Sequence, residues 1–325
     1  MVSILKKERM HMQKGLSISE MQPGSDKQHP HISVIVPSYN SMPVLLDCVH
    51  SLQNQKTQFL FEIIVVDSSP VDPSEEIQKI FPHITFIHSQ KRLFPGEARN
   101  AGVRAAAGKI VAFTDADCLV PADWIEGIGR FFQTEEADVL VGAVSNAHPE
   151  NLVSLAEFYV QYREFSEFTK KRNVEILPGG NFAIWKEFYQ RIGGFPNHRA
   201  AEDTLFARNI LEKNGKMMFI PSLKVFHRNR KNLYFLLKNQ YLLGFNSAMV
   251  RKTSNLPGSY LASSRFFIPF IPLIRMMRTI QFLLKFKGTN KIYAFFELNF
   301  VFPFLVLCVS SWSIGFSIAL IRDSK

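Results

Sequence analysis

The stretch "VAFTDADC", Val111–Cys118, decides the fold, because it joins an apolar strand to two aspartates that stand one residue apart. Val111 to Thr114 are residue types that suit a buried strand, whereas Asp115 and Asp117 carry charges that are costly to bury without a partner. A strand that ends at the rim of a cleft resolves this conflict, since its terminal carboxylates can then reach a ligand or solvent.

Segments on both sides of this stretch alternate between strand and helix patterns at short spacing. Helix patterns include "PGEARNAGVRAAAG", Pro95–Gly108, which opens with Pro-Gly and closes at Gly. This alternation predicts an α/β fold with a mostly parallel sheet covered by helices on both faces. The other predicted strands are "HISVIVPSYN" (His31–Asn40), "FEIIVVDSSP" (Phe61–Pro70), "ITFIHS" and "ADVLVGAVS".

Polar residues follow three of the predicted strands at the point where each strand ends. They are Ser38–Asn40, Asp67–Ser68 and Asp115–Asp117. Ligands of open α/β sheets bind beyond the carboxyl ends of the strands. The sequence therefore predicts a single ligand cleft at this edge of the sheet.

The bulk composition limits the class of protein. The chain has 325 residues, of which 46% are hydrophobic, and a formal net charge of +10. Its cysteines, Cys48, Cys118 and Cys308, lie far apart, which predicts reduced buried thiols rather than a zinc site or a redox pair. No nucleic-acid-binding motif is visible, and attraction to anionic lipid accounts for the excess positive charge, so no nucleic-acid partner is expected.

The C-terminal region predicts attachment to a membrane. Leu298 to Ile321, "LNFVFPFLVLCVSSWSIGFSIALI", carries no charge and is long enough to cross a bilayer as a helix. Arg265–Lys287 before it alternates apolar residues with arginines and suits a helix in the membrane interface, with a second span as the alternative. Lys285, Lys287 and Lys291 place that end of the span on the cytoplasmic side.

These patterns divide the chain into four parts. Residues 1–30 are polar, lack the apolar core of a signal peptide, and are interpreted as a flexible tail ahead of a cytoplasmic domain. The predicted parts are thus a tail (1–30), an α/β domain with the predicted cleft (31–230), an amphipathic membrane-proximal region (231–292) and a transmembrane helix (293–322).

Six motifs in order resemble family 2 glycosyltransferases, which have the GT-A fold with a Rossmann-like nucleotide-binding half. The resemblance runs from about His31 to His227. The motifs are "VIVPSYN", "EIIVVDSS", "RLFPGEARNAG", "FTDADC", "LPGGNFAIWKEFYQRIGGF" and "AEDTLFARNI".

The resemblance implies an inverting transferase that uses a nucleotide-sugar donor and a divalent metal, Mn²⁺ or Mg²⁺. Asp115 and Asp117 match the family's metal motif, and two carboxylates at this spacing offer the oxygen ligands that such hard cations prefer. His227 matches a histidine that reaches the metal or diphosphate in several relatives. Helix capping is the alternative explanation of the two aspartates.

The resemblance also assigns candidate residues to the donor nucleotide. Asp67 matches an aspartate that binds the base, although Ser68 stands where the family commonly has a second aspartate, so the base stays open. Guanidinium groups suit phosphate oxygens. The donor-binding candidates are Pro37, Tyr39, Asp67, Arg92, Arg99 and Asp115.

A general base and an acceptor loop complete the predicted site. Asp203 is predicted to take the proton of the acceptor hydroxyl, with Glu202 orienting the acceptor or binding it. The loop "LPGGNFA" and the residue that follows it supply the acceptor-binding candidates, although a simple turn and a core tryptophan are alternatives. They are Gly179, Gly180, Asn181 and Trp185.

Two other function classes remain to be weighed. A membrane-tethered scaffold that binds a nucleotide sugar without turnover would keep the fold, but the intact Asp115, Asp117 and Asp203 argue against it. A phosphatase of the haloacid dehalogenase type also uses Asp-x-Asp after a strand, but on its first strand. The favoured hypothesis is a membrane-attached transferase that acts on a lipid-linked or polysaccharide acceptor.

Overall fold

A computed structural model of the chain describes residues 30–197, 201–254, 256, 258–263, 265–286 and 291–322. The predicted tail lies outside these residues except for its last residue, as does Lys287. One nine-stranded sheet organises the N-terminal two thirds of the chain. Its strands are β1 (Ile32–Ser38), β2 (Phe61–Asp67), β3 (Thr85–His88), β4 (Ile110–Thr114), β5 (Cys118–Leu119), β6 (Val139–Asn146), β7 (Arg172–Asn173), β8 (Asn181–Trp185) and β9 (Met217–His227).

Helices cover the sheet and extend beyond it. Two short 3₁₀ segments, Arg163–Phe165 and Arg265–Phe270, join some of them. The helices are α1 (Met42–Gln53), α2 (Ser74–Ile80), α3 (Pro95–Ala105), α4 (Trp124–Thr134), α5 (Leu152–Gln161), α6 (Lys186–Arg191), α7 (Glu202–Glu212), α8 (Leu233–Thr253), α9 (Tyr260–Ser263), α10 (Ile271–Phe286) and α11 (Lys291–Arg322).

The sheet has a parallel half and a mixed half. The spatial order is β3-β2-β1-β4-β8-β6-β9-β5, with β7 paired to β9. Strands β1 to β4 are parallel, which confirms the predicted Rossmann-like half. Strand β8 enters between β4 and β6 in the opposite direction, so the sheet as a whole is mixed rather than uniformly parallel.

Helix α3 packs unusually close to the sheet and thereby positions one arginine of the site. A Cβ atom added at Gly102 would lie 2.5 Å from the Ile35 Cγ2 atom of β1, so only glycine permits this approach. The helix begins where the Glu97 carboxylate accepts the Phe94 N–H at 2.9 Å. Arg99, one turn before Gly102, is consequently held beneath the carboxyl end of the sheet, with its side chain only 3% exposed.

The C-terminal helix α11 packs along α8 and against α5 of the sheet domain. The two long helices cross where their backbones touch: a Cβ atom at Gly244 would lie 1.9 Å from the Trp312 carbonyl, and one at Gly315 would lie 2.0 Å from the Tyr241 carbonyl. Such contacts between small residues are typical of helices packed in membranes.

Within the described residues, Asn299–Arg322 is the one helix that is long and apolar enough to cross a membrane. Its 24 residues have a mean hydropathy of 2.2, and less than half of the apolar window is buried against the rest of the chain. The predicted membrane span thus coincides with a helix that leaves part of its apolar surface exposed.

Candidate active site

The Asp115–Asp117 turn lies at the carboxyl end of β4, as predicted, and is fixed by the last strand of the sheet. Cys118 of β5 pairs with His227 of β9. The Arg228 N–H donates to the Asp117 carbonyl at 2.9 Å. The chain after β9 therefore closes over the turn and brings residues about 110 positions apart in sequence into one site.

Arg99 connects two of the predicted carboxylates. Its Nη2 atom lies 2.7 Å from Asp115 Oδ1, and its Nη1 atom lies 3.3 Å from Glu202 Oε1. Burial lowers the pKa of Arg99, but the charges of Asp115 and Glu202 outweigh this effect and raise it above its ordinary value. Both ends of the guanidinium face carboxylates in this structure, so the predicted contact with donor phosphates stays a prediction.

Glu202 and Asp203 are the first two residues of α7 and lie close to Arg99. Ala201 before them adopts a left-handed backbone with φ of 59°, which turns the chain sharply into the helix. Burial raises the pKa of both carboxyl groups. The negative charge of Asp203 raises the pKa of Glu202 further. A carboxylate with a raised pKa is a better proton acceptor, which suits the predicted general base.

His227 is the histidine that the fold brings to Asp117. Its Nε2 atom lies 3.5 Å from Asp117 Oδ1 and 3.2 Å from the Tyr162 hydroxyl. Its Nδ1 atom lies 2.8 Å from Asn229 Oδ1, so the ring is held from both sides. The buried histidine thus has a fixed orientation toward the aspartate.

The residues around Asp117 fit a divalent metal that shares its coordination with a substrate. No group of three His, Cys, Asp or Glu ligands occurs among the described residues. Asp117 Oδ1 and His227 Nε2 are close enough to contact one cation together. Mg²⁺ is commonly bound by one or two protein ligands, with phosphate and water oxygens completing its shell.

Four of the predicted donor residues lie at the ends of β1 and β2 or stack on a residue there. The Arg92 guanidinium stacks over the Tyr39 ring, 4.3 Å from its centroid, beside Pro37 at the end of β1. Asp67 is 1% exposed at the end of β2. Its carboxylate accepts from Ser38 Oγ at 2.7 Å and from Ser69 N and Oγ at 2.8 Å. Ser38 and Ser69 thus hold this carboxylate in place, and its contact with a base stays a prediction.

The Gly179–Gly180 loop lies directly against the site, as predicted. A Cβ atom at Gly180 would lie 2.5 Å from Asp115 Oδ2, and one at Gly179 would lie 3.3 Å from Arg99 Nη2. The absence of side chains at both positions therefore makes room for the Arg99–Asp115 pair. Whether the loop also contacts an acceptor stays a prediction.

The predicted acceptor contact of Asn181 requires correction. Its side chain is fully buried, with Nδ2 donating to the Ala143 and Leu223 carbonyls at 2.7 and 3.0 Å. Its Oδ1 atom accepts from Trp124 Nε1 at 3.0 Å. No polar group of Asn181 is left for a sugar, so this residue ties α4 and β6 to β8 instead.

The acceptor role predicted for Trp185 is also wrong, for a reason of topology. Because β8 runs antiparallel to β4, Asn181 pairs with Thr114 near the cleft, whereas Trp185 pairs with Ile110 at the opposite end of β4. The Trp185 ring packs against Phe132 with centroids 4.8 Å apart. Trp185 packs against the core at the amino end of β4, away from the carboxylates.

Sequence reasoning missed several residues that complete the site. His88 at the end of β3 places Nδ1 3.2 Å from Asp67 Oδ1, and the rule that polar residues end these strands could have found it. Tyr162 and Asn229 hold His227, but neither stands at a predicted strand end or in a motif. Glu157 binds the Arg230 backbone N–H at 2.6 Å while fully buried, which no local pattern signals.

Comparison with known proteins identifies the family and the fold. Residues 33–193 match the model of the family Glycosyl transferase family 2. The chain is 29% identical to the glycosyltransferase AglE of Haloferax volcanii, over 66% of this chain and 72% of that protein. It is 26% identical to the glycosyltransferase GlyG of Streptococcus pneumoniae, over 61% and 71% of the two chains.

Solved structures show the same fold. The mannosyltransferase PcManGT from Pyrobaculum calidifontis, in complex with GDP-Man and Mn²⁺, has a TM-score of 0.59 at 17% identity, over 100% of this chain and 95% of that one. The S. aureus TarS fragment 1–349 in complex with UDP-GlcNAc has a TM-score of 0.52 at 18% identity, over 90% and 92% of the two chains. The chain belongs to glycosyltransferase family 2 and is a glycosyltransferase with the GT-A fold.

Proposed function

We propose that the protein transfers a hexose, with inversion, from a nucleotide diphosphate sugar to a lipid-linked or polysaccharide acceptor at a membrane. One observation carries this proposal: Asp115 and Glu202 lie on either side of the Arg99 guanidinium, with Asp203 close to Arg99 and Asp117 close to Asp115. Relatives that bind GDP-Man or UDP-GlcNAc support a nucleotide-sugar donor.

In this proposal Asp203 accepts the proton of the acceptor hydroxyl as that oxygen attacks the anomeric carbon. Burial raises the pKa of Asp203, which favours this role. Glu202 orients the acceptor, and Arg99 keeps Glu202 and Asp115 in place. Inversion needs a single displacement, so no side chain has to form a covalent bond to the sugar.

The diphosphate end of the donor would lie against Asp115, Asp117 and His227. Asp117 and His227 would hold Mn²⁺ or Mg²⁺, which neutralises charge on the departing diphosphate when bound. Asp67, Tyr39 and Arg92 would contact the nucleoside and Pro37 would shape that loop, since they lie at the carboxyl ends of β1 and β2 or stack on them.

The proposed division of the chain follows the predicted boundaries. The catalytic domain would occupy residues 31–230, the membrane-proximal region 231–292 and the transmembrane helix 293–322, with the catalytic domain on the cytoplasmic side. The apolar helix Asn299–Arg322 supports membrane attachment. Its packing along α8 would hold the cleft near the bilayer, which motivates a lipid-linked acceptor.

The test is release of nucleoside diphosphate by membranes that contain the full chain, with Mn²⁺ or Mg²⁺ and a panel of nucleotide sugars. We expect release with one donor, stimulated by lipid extract and abolished by EDTA or by Asp117→Ala. Donor binding without release, unchanged in Asp203→Asn and insensitive to EDTA, would contradict the proposal and favour a non-catalytic scaffold.

A further inference from the structure

A groove of about 510 Å³ opens where the chain leaves the sheet domain, between the end of β9 and one face of α8. Its lining consists of three cationic side chains, two asparagines and two large apolar side chains, and no acidic residue of the described chain lines it. We call this cavity the basic groove. The residues that determine its chemistry are Arg230, Lys231, Phe235, Lys238 and Leu242.

The part of the groove on α8 uses a single face of that helix. Phe235, Lys238 and Leu242 follow one another at spacings of three and four positions, which places them side by side. Leu236 and Gly244 lie on the opposite face, where Leu236 packs in an apolar cluster with α11 and Gly244 touches the backbone of α11. The groove therefore faces away from α11, and its cationic and apolar side chains are exposed.

A buried carboxylate beneath the groove fixes the position of Arg230. Glu157 of α5 is fully buried, accepts the Arg230 backbone N–H at 2.6 Å and pairs with the Nη1 atom of the Arg230 guanidinium. Within the described residues, the other guanidinium nitrogens of Arg230 bond to no protein group, and the side chain is 41% exposed. Arg230 is thus held in one orientation while part of its guanidinium stays available to a ligand in the groove.

The positive charge of the groove is not balanced by the protein. Glu157 is paired with Arg230, whereas Lys231 and Lys238 form no ion pair in the part of the chain that the structure describes. The carboxylate of Glu150, which does not line the groove, contacts His148 Nδ1 at 3.6 Å. Three cations and one carboxylate leave an excess of two positive charges. A concave surface lined by charge of one sign attracts the opposite charge, so the groove favours an anion.

The same groove has hydrocarbon walls. Phe235 is 58% exposed and Leu242 is 45% exposed, and both line the cavity together with Lys238, which lies between them in sequence. A small inorganic anion would leave these two side chains in water. A ligand that carries both a phosphate and a hydrocarbon chain would pair with the cations and also remove the apolar surface from water.

The groove lies next to the proposed reaction centre. Arg230 stands three residues after His227, and its charge acts on the Asp117 carboxylate. The Arg228 N–H donates to the Asp117 carbonyl at 2.9 Å, which ties this segment to the Asp115–Asp117 turn. A molecule bound in the groove would therefore lie beside the carboxylates, where an acceptor substrate is needed.

We propose that the basic groove binds the phosphate group of a lipid acceptor. In this arrangement Arg230, Lys231 and Lys238 surround the phosphate oxygens, and the hydrocarbon chain lies against Phe235 and Leu242. Hydrogen bonds between cationic side chains and phosphate oxygens are among the strong ones in proteins. The inference rests on the function proposed above, because it specifies the acceptor of that reaction as a lipid that carries a phosphate rather than an uncharged polysaccharide.

The test measures the binding of three probes to the purified full chain in a neutral detergent by calorimetric titration. The probes are decyl phosphate, decanol and inorganic phosphate, which separate the amphipathic ligand from its hydrocarbon and from its anion. EDTA is present and nucleotide sugar is absent, so neither metal nor donor occupies the catalytic site. We expect saturable binding of decyl phosphate, at least about tenfold tighter than that of inorganic phosphate, and no saturable binding of decanol.

Three variants sharpen the test. Lys238→Gln should weaken the binding of decyl phosphate about tenfold, since one charged hydrogen-bonding group is lost from an exposed position. Phe235→Ser should weaken the binding of decyl phosphate but not that of inorganic phosphate. Lys213→Gln is the matched control, because Lys213 is an exposed lysine near the start of β9, at the other end of that strand from the groove. Arg230 is kept, because its removal would leave Glu157 buried without a partner.

Each of the other outcomes would count against the proposal. Decanol that binds as tightly as decyl phosphate, or decyl phosphate binding that is the same in Lys238→Gln as in Lys213→Gln, would overturn it. Equal affinity for inorganic phosphate would overturn the lipid as the source of the phosphate. Because the titrations contain no donor and no metal, a failure to release nucleoside diphosphate in the transferase assay would contradict the proposed function without altering these binding results.

Discussion

Replacing Arg99 by glutamine tests the organisation of the catalytic site. The change removes the guanidinium that faces Asp115 at 2.7 Å and Glu202 at 3.3 Å, and the Arg99 side chain is only 3% exposed. Removing one partner of a buried ion pair costs about 3–5 kcal/mol, because a charge is left buried and unpaired. Asp115 is 28% exposed and partly screened by solvent, so we use the lower end, about 3 kcal/mol.

A loss of this size is visible as a change in melting temperature. For a domain of 150–250 residues, 1 kcal/mol corresponds to roughly 2–4 °C, so Arg99→Gln should lower the melting temperature by about 6–12 °C. The measurement is thermal unfolding of the full chain in detergent at pH 8, followed by circular dichroism at a fixed scan rate. The control is Arg130→Gln, since Arg130 pairs with Glu126 at 2.7 Å but is 70% exposed, and its loss should cost below about 1 kcal/mol.

The pH dependence gives a second check. Without Arg99, the pKa of Glu202, already raised by burial, should rise further. A carboxyl group with a raised pKa in the folded state destabilises the fold as pH rises through that range. The deficit of Arg99→Gln should therefore shrink at pH 5. A melting temperature within 2 °C of wild type at pH 8, or equal to that of Arg130→Gln, would refute the idea that Arg99 holds the carboxylates.

Three further predictions follow from single contacts. Gly180→Ala should lower turnover about a hundredfold, because its Cβ atom would displace the Asp115 carboxylate. Gly179→Ala should keep most activity in the same assay, because its Cβ atom would lie 3.3 Å from Arg99 Nη2, a contact that a shift of a few tenths of an ångström relieves. Asp203→Asn should reduce turnover by a factor of about 10²–10⁴, because the proton acceptor is lost. It should not lower the melting temperature at pH 7, since burial raises the pKa of Asp203 and its ionised form therefore destabilises the fold. A clear loss of stability would contradict this prediction. Gly315→Leu should separate α11 from α8, seen as faster proteolysis of the C-terminal helix, and unchanged cleavage would count against the helix crossing.

Local patterns were sufficient where one segment carries the whole signal. The strand and helix periods of residues 31–146 predicted β1 to β4, β6 and helix α3, and the strand ends predicted where the carboxylates meet. The Pro-Gly opening and the closing Gly of "PGEARNAGVRAAAG" likewise predicted α3 close to its observed bounds. These features depend on neighbours in sequence, so composition and spacing contain them.

Predictions failed where a residue's role depends on a strand's direction or on a distant partner. The acceptor role predicted for Trp185 was wrong because β8 runs antiparallel to β4. Trp185, the last residue of β8, therefore lies at the start of β4 and away from the carboxylates. The acceptor contact predicted for Asn181 was wrong because its side-chain amide is already hydrogen-bonded. Its partners, Trp124, Ala143 and Leu223, come from three other segments. Nothing within the loop "LPGGNFA" contains this information.

The sequence by itself determined the family, the parallel half of the sheet and the positions of the carboxylates, because strand period and motif order are properties of contiguous residues. Only the tertiary structure decided which groups face those carboxylates. Arg99 meets Glu202 and His227 meets Asp117 because separate segments pack against one sheet edge. Side-chain pairing across more than 100 residues depends on three-dimensional packing, and no local sequence pattern predicts that packing.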